Sequence, residues 1–365
     1  MILMNDFQRM WQATRENVMA AVEEVGSSGW YILGKRVREF ESALAAAWGV
    51  RYAVGTASGL DAIEIGLRAL GCGPGDKVLT TPLSAFATTL AIVKTGATPV
   101  FADTDKLGLI DLDACEALLK KRPDIRYFVP VHLYGHPIDS GRLGKLRDQF
   151  GLAMVEDCAQ SIGAASGTAG QVSATSFYPT KNLGAIGDGG ALLTSDPELR
   201  DKACALRDYG QTAKYRHDVL GLNSRLDELQ AGILHKAFLP QLPAWIARRR
   251  AIARLYMAGI RNPLVCPLGA PASSESCWHL FPVLVHADRK ADFITHLRDQ
   301  GVASGEHYPI PIPKQKALDG IPFEAPFPCP NTERICRSEV SLPIHPYLTD
   351  QEAQQVIFAC DLWQG

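Results

Sequence analysis

A lysine within a glycine-rich stretch is the residue whose setting most clearly indicates chemistry. Lys181 lies in SATSFYPTKNLGAIGDGG, which spans residues 173–190. The pattern predicts a strand that runs through Phe177 and Tyr178, ends at Pro179 and presents the lysine before a run of glycines. Burial against aromatic and backbone groups lowers the pKa of an ammonium and gives the free amine that carbonyl chemistry requires. Lys181 could therefore form a Schiff base, although most lysines beside glycines are solvated loop residues.

A carboxylate at the end of an apolar run supplies a second chemical group. The stretch LAMVEDCAQ, residues 152–160, predicts a buried strand that ends in Glu156 and Asp157. Ligands of parallel α/β sheets bind beyond the carboxyl ends of the strands, so this end faces a site. Pyridoxal phosphate needs an imine-forming lysine, a carboxylate that keeps its ring nitrogen protonated and a cradle for its phosphate. Asp157 can be that carboxylate.

A phosphate cradle is predicted where a short strand passes through small residues into an amphipathic helix. The stretch YAVGTASGLDAIEIGLRAL, residues 52–70, has this form. A helix N-terminus offers unpaired N–H groups and the positive end of the helix dipole, and both suit a phosphate. Small residues before a helix are also ordinary capping residues, so this pattern is weak by itself.

The three stretches, together with GCGPGDKVLTTPLSAFATT, VPVHLYGHPID and GLNSRLDELQAGIL, resemble the DegT/DnrJ/StrS sugar aminotransferases. These are pyridoxal 5'-phosphate enzymes of fold type I, and the resemblance covers nearly the whole chain. It implies transfer of an amino group from glutamate to the keto group of a nucleotide-diphosphate-linked deoxysugar, with pyridoxamine 5'-phosphate as the intermediate form of the cofactor. It also implies a homodimer with shared active sites, in the biosynthesis of a polysaccharide or an antibiotic.

The resemblance implies a role for individual positions. Lys181 matches the catalytic lysine, Asp157 the partner of the ring nitrogen, and Phe86 the aromatic ring that stacks on the cofactor. The other cofactor contacts are implied at Gln160, Ser176, Ser58, Gly59, Leu60 and, from the neighbouring subunit, Asn223. The substrate contacts are implied at Tyr178, Lys214, Arg225, His307, Tyr308 and Lys314.

Three places depart from the family pattern. Lys314 stands where the family usually has histidine, and a cation there could favour a diphosphate. Leu60 replaces a threonine at the start of the helix, which leaves only backbone donors for a phosphate at that position. Residues 171–175 lack the usual G-D-A-G run.

The chain as a whole predicts an α/β fold in two parts. Strands are predicted at 52–54, 77–80, 99–102, 126–131, 152–155, 174–177 and 190–194. They alternate with helical patterns, which is typical of a mostly parallel sheet with helices on both faces. The seven strands match the large cofactor-binding domain of fold type I, here residues 1–245 with the N-terminal helices, and 246–365 predict a smaller α+β domain.

Helix boundaries follow from capping residues and prolines. A helix capped near Asn5 or Asp6 is predicted at the start of the chain. A second helix is predicted over 226–239, broken by Pro240 and Pro243, before a long basic helix over 244–259.

Composition and charge argue against several other classes. The 365 residues are 47% hydrophobic and 21% charged, with a formal charge of −2, which argues against a nucleic-acid surface. No apolar run has the length of a membrane span. The nine scattered cysteines form no C-x-x-C pair, so neither a disulfide framework nor a zinc site is indicated. The expected compartment is therefore the cytosol. His132 and His136 lie in a predicted loop, and no metal is expected there.

The alternatives differ in the residues that they require. The nearest is a keto-cyclitol aminotransferase with the same motifs. A dehydratase of the same fold would carry histidine in place of Lys181, and a Rossmann dehydrogenase would need a G-x-G-x-x-G after a strand. From another class, a non-catalytic pyridoxal phosphate-binding regulatory protein would keep the phosphate cradle but need no lysine for proton transfer, and we would expect a DNA-binding extension in it.

Overall fold

Two helices lie at the start of the chain in the computed structural model, which describes residues 1–272 and 275–365. They are α1 (Phe7–Ser28) and α2 (Lys35–Trp48). Asp6 caps α1, because its side chain accepts a hydrogen bond from the N–H of Arg9 at 2.9 Å. The predicted capping residue is therefore confirmed.

A seven-stranded sheet forms the centre of the fold. Its strands are β1 (Tyr52–Thr56), β2 (Lys77–Thr80), β3 (Thr98–Phe101), β4 (Tyr127–Val129), β5 (Ala153–Asp157), β6 (Val172–Ser176) and β7 (Gly190–Thr194). Their spatial order is β1-β7-β6-β5-β4-β2-β3. β7 is antiparallel to β1 and β6, and the remaining pairs are parallel. The predicted mostly parallel sheet of seven strands is confirmed.

Helices cover both faces of this sheet. They are α3 (Gly59–Ala69), α4 (Phe86–Lys94), α5 (Leu112–Leu119), α6 (Ser140–Phe150) and α7 (Pro197–Arg207). Successive side chains of a strand point to opposite faces. Accordingly, Val129 packs in a core with residues of α3, α4 and α7, whereas Phe128 packs with residues of α5 and α6.

The sheet is followed by a hairpin and a helical region. The hairpin consists of β8 (Gln211–Ala213) and β9 (Arg216–His217). α8 (Glu228–Ile233) continues through a π turn and a 3-10 turn into α9 (Leu242–Gly259). The predicted break at Pro243 is wrong, because this proline lies in the first turn of α9, where its missing N–H would have no partner in the helix.

The C-terminal part is built on a small antiparallel sheet. Its strands, in spatial order, are β10 (Cys266–Pro267), β11 (Phe281–Leu284) and β12 (Glu339–Leu342). The helices of this part are α10 (Lys290–Asp299), α11 (Pro330–Ser338) and α12 (Asp350–Leu362). The α+β arrangement is confirmed, and the predicted boundary at 245/246 falls inside α9. Among the helices of the described ranges, none is both long and apolar enough to cross a membrane.

Candidate active site

Lys181 lies in the loop that connects β6 to β7. The N–H of Phe177 donates to the carbonyl of Gly189 at 2.8 Å, and residues 178–188 form the loop between these two positions. The side chain of Lys181 is partly buried. Burial lowers its pKa to about 8, against the opposing effect of the negative charge of Asp157. The charges of Lys181 and Asp157 therefore interact.

The predicted extent of the sixth strand is wrong at its end. β6 stops at Ser176, which pairs with Gly190, the first residue of β7. Beyond this pair one hydrogen bond follows, from the N–H of Phe177 to the carbonyl of Gly189, and both Phe177 and Tyr178 lie outside the strand. Tyr178 is about half exposed, whereas Phe177 is buried.

Asp157 is the last residue of β5, and only 5% of its surface is exposed. Its Oδ2 accepts a hydrogen bond from the hydroxyl of Thr88 at 2.7 Å, and its Oδ1 accepts from the N–H of Ala159 at 3.0 Å. The hydroxyl of Ser84 lies 2.9 Å from that of Thr88. The carboxylate is thus held in one orientation by donors on two different elements.

Glu156, the neighbour of Asp157 on β5, has a different environment. Its Oε2 lies 3.0 Å from Nε2 of His132, and both side chains are fully buried. The N–H of Ile138 donates to Nδ1 of His132 at 3.0 Å, and Nδ1 of His136 lies 2.8 Å from the hydroxyl of Ser276. Both histidines of the VHLYGH loop therefore make hydrogen bonds within the protein.

The start of α3 meets the end of β6 and the start of β7 at very short range. A β-carbon on Gly59 would lie 2.6 Å from Cβ of Ser176, and one on Gly190 would lie 2.4 Å from the carbonyl of Ser58. Only glycine permits this approach of the backbones. Ser58 caps the helix by accepting a hydrogen bond from the N–H of Asp61 at 3.1 Å.

Two backbone donors at this junction are free. The first N–H groups of a helix have no partner inside it. Within the described residues, the N–H groups of Gly59 and Leu60 also donate to no other group of the protein. Ser176, whose hydroxyl oxygen accepts from the N–H of Tyr178 at 3.2 Å, is buried beside them. These groups can bind a phosphate.

The residues fit pyridoxal phosphate, the cofactor that the sequence predicts. The free N–H groups at the start of α3 and the hydroxyl of Ser176 suit its phosphate. Asp157 suits a protonated ring nitrogen, and Lys181 suits an imine-forming amine. The glycine junction supports this fit, since it allows the start of α3 and Ser176 to lie side by side.

Gln160 and Phe86 are tied to the surroundings of Asp157 and Lys181. Oε1 of Gln160 accepts from the N–H of Tyr134 at 2.7 Å, and its Nε2 donates to the hydroxyl of Tyr308 at 3.2 Å. Phe86 is the first residue of α4, two positions before Thr88, and it packs against a small apolar cluster. Stacking of Phe86 on the cofactor stays a prediction.

His307 and Tyr308 lie beside the lysine. Burial and the positive charge of Lys181 lower the pKa of His307 to about 4, and burial raises the pKa of Tyr308. His279, which the sequence did not single out, has a pKa well below its usual range because of burial and the charge of Lys181. Its Nδ1 lies 3.3 Å from the amide oxygen of Asn182, the residue next to the lysine.

The other predicted contacts lie towards the surface. Lys314 is exposed and pairs with Glu333 at 2.8 Å. Arg225 pairs with Asp208 at 2.8 Å, and Lys214 is exposed in the β8–β9 hairpin. The structure does not bring these cations into hydrogen-bond contact with Lys181.

Asn223 is also exposed. The hydroxyl of the next residue, Ser224, accepts from the N–H of Ala57 at 3.1 Å. This loop therefore lies against the phosphate cradle of its own chain, and a contact of Asn223 with a neighbouring subunit stays a prediction.

Replacing Thr88 tests whether its hydroxyl orients Asp157. Thr88→Val keeps the shape of the side chain but leaves Oδ2 of Asp157 without its donor, and a hydrogen bond to a charged group is worth about 1.5–3 kcal/mol. We expect the dissociation constant of pyridoxal phosphate to rise roughly tenfold or more. Thr88→Ser, which keeps the hydroxyl, should bind like the unmodified protein. Equal affinities for the valine and serine variants would contradict this role.

Comparisons with known proteins agree with this geometry. The model of the DegT/DnrJ/EryC1/StrS aminotransferase family matches residues 12–360. A dTDP-3-amino-3,4,6-trideoxy-alpha-D-glucose transaminase of Streptomyces venezuelae is 40% identical over 98% of this chain and 95% of its own. A pleiotropic regulatory protein of Geobacillus stearothermophilus is 35% identical over 97% of this chain and 96% of its own.

The solved structures show the same fold. The crystal structure of S. venezuelae DesV in complex with a ketimine intermediate superposes with a TM-score of 0.94 at 39% identity. The superposition covers 99% of this chain and 98% of the other. The fold predicted from the sequence is confirmed over nearly the full length. The chain belongs to the DegT/DnrJ/EryC1/StrS aminotransferase family.

Proposed function

We propose that the protein transfers an amino group from glutamate to the keto group of a nucleotide-diphosphate-linked deoxysugar, with pyridoxal phosphate and its pyridoxamine form as cofactor. The observation that carries the proposal is the amine of Lys181, whose pKa burial lowers to about 8 and on which the charge of the buried Asp157 acts. The family match and the similarity to a dTDP-sugar transaminase support the class of reaction and of substrate.

Lys181 has the properties of the group that moves the proton. An amine with a pKa of about 8 can accept a proton from the donor α-carbon near neutral pH and return one later in the cycle. When bound, pyridoxal phosphate supplies an electron-withdrawing ring that takes up the electron pair released at that carbon. Thr88 and the N–H of Ala159 hold the carboxylate of Asp157 in place to keep a proton on the ring nitrogen.

Burial around the lysine favours this chemistry. Asp157, Gln160 and His279 are all buried, with 5–6% of their surface exposed. A dry environment strengthens the interaction between the charged groups and limits side reactions with water. Transfer to the sugar repeats the proton movements in the opposite order.

A regulatory protein without turnover is the second candidate. One observation favours it, since the G. stearothermophilus relative is named a pleiotropic regulatory protein. Binding alone does not require an amine with a lowered pKa beside a fixed carboxylate, so the site geometry favours the enzyme.

An assay of the two half-reactions distinguishes the candidates. Protein loaded with pyridoxal phosphate is mixed with glutamate, and the product is then offered dTDP- and UDP-linked keto sugars or a keto-inositol. Amination of a nucleotide-linked sugar supports the proposal. Amination of the keto-inositol alone would identify a cyclitol aminotransferase, and loss of turnover with every pair would favour the regulatory protein.

Lys314 provides a test of the nucleotide-sugar substrate. A charge-assisted contact to a diphosphate is worth about 1.5–3 kcal/mol, so Lys314→Ala should raise the KM for the nucleotide sugar roughly tenfold. The glutamate half-reaction should not change, because glutamate carries no phosphate. Lys316→Ala, which removes another exposed lysine of the same segment, is the matched control. An equal loss in both half-reactions, or none, would remove Lys314 from the substrate site.

We also propose that the protein is a homodimer in which Asn223 contacts the cofactor phosphate of the partner. Several large apolar side chains are exposed near the site or near the Asn223 loop, among them Trp30 at 63%, Tyr215 at 83% and Leu220 at 91%. Exposed apolar groups of this size are typical of a surface that binds another protein. The family resemblance supports a second copy of the chain as that protein.

Mixed dimers test the shared site. Subunits with Lys181→Ala and subunits with Asn223→Ala should each have little activity alone. A hybrid dimer places both unmodified residues in one of its two sites, so random exchange should restore about a quarter of the full activity. No recovery after exchange, or a fully active monomer, would contradict the shared site.

A further inference from the structure

A chain of hydrogen bonds connects β12 to the residue beside the lysine. Glu339 and Ser341 lie two positions apart on β12 and therefore on the same face of the strand. The hydroxyl of Ser341 donates to Oε1 of Glu339 at 2.5 Å, and Nδ1 of His307 lies 2.9 Å from the oxygen of Ser341. The N–H of His307 donates to Oε2 of Glu339 at 2.7 Å.

The direction of this chain determines which nitrogen of His307 carries the proton. Burial raises the pKa of Glu339 to about 7, so its carboxyl group is ionised above that pH. The carboxylate then accepts the one hydroxyl proton of Ser341, whose oxygen in turn accepts a hydrogen bond from Nδ1–H of the imidazole. The pKa of His307, about 4, leaves the ring neutral near pH 7. Nε2 consequently carries a lone pair. Within the described ranges it has no hydrogen-bond partner, and it is not sealed from solvent.

The imidazole is held beside the residues of the site. The carbonyl of His307 accepts from the hydroxyl of Tyr134 at 2.6 Å, and Gln160 donates to the hydroxyl of Tyr308 at 3.2 Å. The charge of Lys181 acts on the ring of His307. The ring that carries the free lone pair therefore lies close enough to Lys181 for the charge of the amine to affect it.

We propose that Glu339 is a positioning residue that, through Ser341, holds His307 as a neutral hydrogen-bond acceptor for a hydroxyl group of the sugar substrate. The inference rests on the proposed function. A sugar offers several hydroxyl donors to such a lone pair. The only donor that glutamate offers is the amino group that reacts, and its two carboxylates have only lone pairs and are repelled. The acceptor would thus select for the sugar and act in one half-reaction.

Other charged groups pack against Glu339 and belong to the same network. Lys290 pairs with Glu306 at 2.6 Å and donates to the carbonyl of Cys336 at 3.0 Å, and the charges of Lys290 and Glu306 act on Glu339. Neither side chain makes a hydrogen bond to His307 or Ser341 in the described part of the chain. Glu306 therefore serves as a nearby carboxylate outside the chain of hydrogen bonds.

Glu339→Gln should reverse the chain without changing its shape. The backbone N–H of His307 still requires an acceptor, so the amide oxygen of the glutamine faces it and the amide nitrogen faces Ser341. The hydroxyl of Ser341 then accepts from the glutamine and donates to Nδ1 of His307. The proton of the imidazole moves to Nε2, and the acceptor becomes a donor.

The tautomer is measured by 15N NMR of histidine-labelled protein at a pH above about 8, where Glu339 is ionised, with His307→Asn to assign the signal. We expect Nδ1–H in the unmodified protein and Nε2–H in Glu339→Gln, with the other histidines unchanged as a check on folding. In the holoenzyme, amination of the nucleotide sugar should slow roughly tenfold or more in Glu339→Gln, while the glutamate half-reaction stays within about twofold. Glu306→Gln should change neither the tautomer nor either half-reaction.

Three results would overturn the inference. The first two are an Nε2–H tautomer in the unmodified protein and an unchanged tautomer in Glu339→Gln. The third is an equal loss of both half-reactions in Glu339→Gln, which would mean that Glu339 only supports the fold. The tautomer is read without substrate. A protein that shows the tautomer change but aminates no nucleotide sugar would therefore refute the proposed function and the sugar contact, and would leave the positioning of His307 by Glu339 intact.

Discussion

The rest of the structure depends on the burial of one amine beside one carboxylate. Removal from water disfavours the charged form of Lys181, while the negative charge of Asp157 favours it, and the first effect is the larger. At a pKa of about 8, roughly a tenth of the amine is free at pH 7, which is about 300-fold more than at 10.5. In the proposed mechanism the carboxylate is needed as well, because it would keep the ring nitrogen of the cofactor protonated.

The order of the strands in the sheet brings Lys181 and Asp157 to the same edge. β5 and β6 are parallel neighbours, so Asp157 and Ser176 both lie at the carboxyl ends of adjacent strands. The Lys181 loop then returns the chain to Gly190, the first residue of the antiparallel β7, which meets the start of α3 beside Gly59. Lysine, carboxylate and phosphate cradle are thus fixed by three consecutive features of one sheet edge.

Local patterns were sufficient to predict the parts of the site that lie on single stretches. The strand that ends in Asp157, the capped start of α3 and the loop that carries Lys181 each have their own sequence pattern. The sequence analysis placed the end of β6 beyond Ser176, where the strand ends in the structure. That end depends on where the partner strand β7 begins. Pro243 was misplaced, since a proline is compatible with the first turn of a helix as well as with a break.

The contacts that orient the predicted groups could not be predicted. Thr88 donates a hydrogen bond to Asp157, which lies 69 positions away along the chain. Glu339 accepts one from the N–H of His307, which lies 32 positions away. No spacing along the chain indicates such pairs. Thr88 does lie in the stretch GCGPGDKVLTTPLSAFATT, which the sequence analysis identified, in the first turn of the helix that begins at Phe86. The surface contacts at Asn223 and Lys314 depend on a second molecule, so neither the sequence nor a single chain determines them.

The exchange of the α-proton of glutamate for deuterium tests the central role of Lys181 most directly. The holoenzyme should catalyse this exchange, because the amine of Lys181 is the base that takes the α-proton. Lys181→Ala should lose the exchange by several orders of magnitude, and a small added amine should restore part of it. Exchange in Lys181→Ala at nearly the unmodified rate would contradict the account.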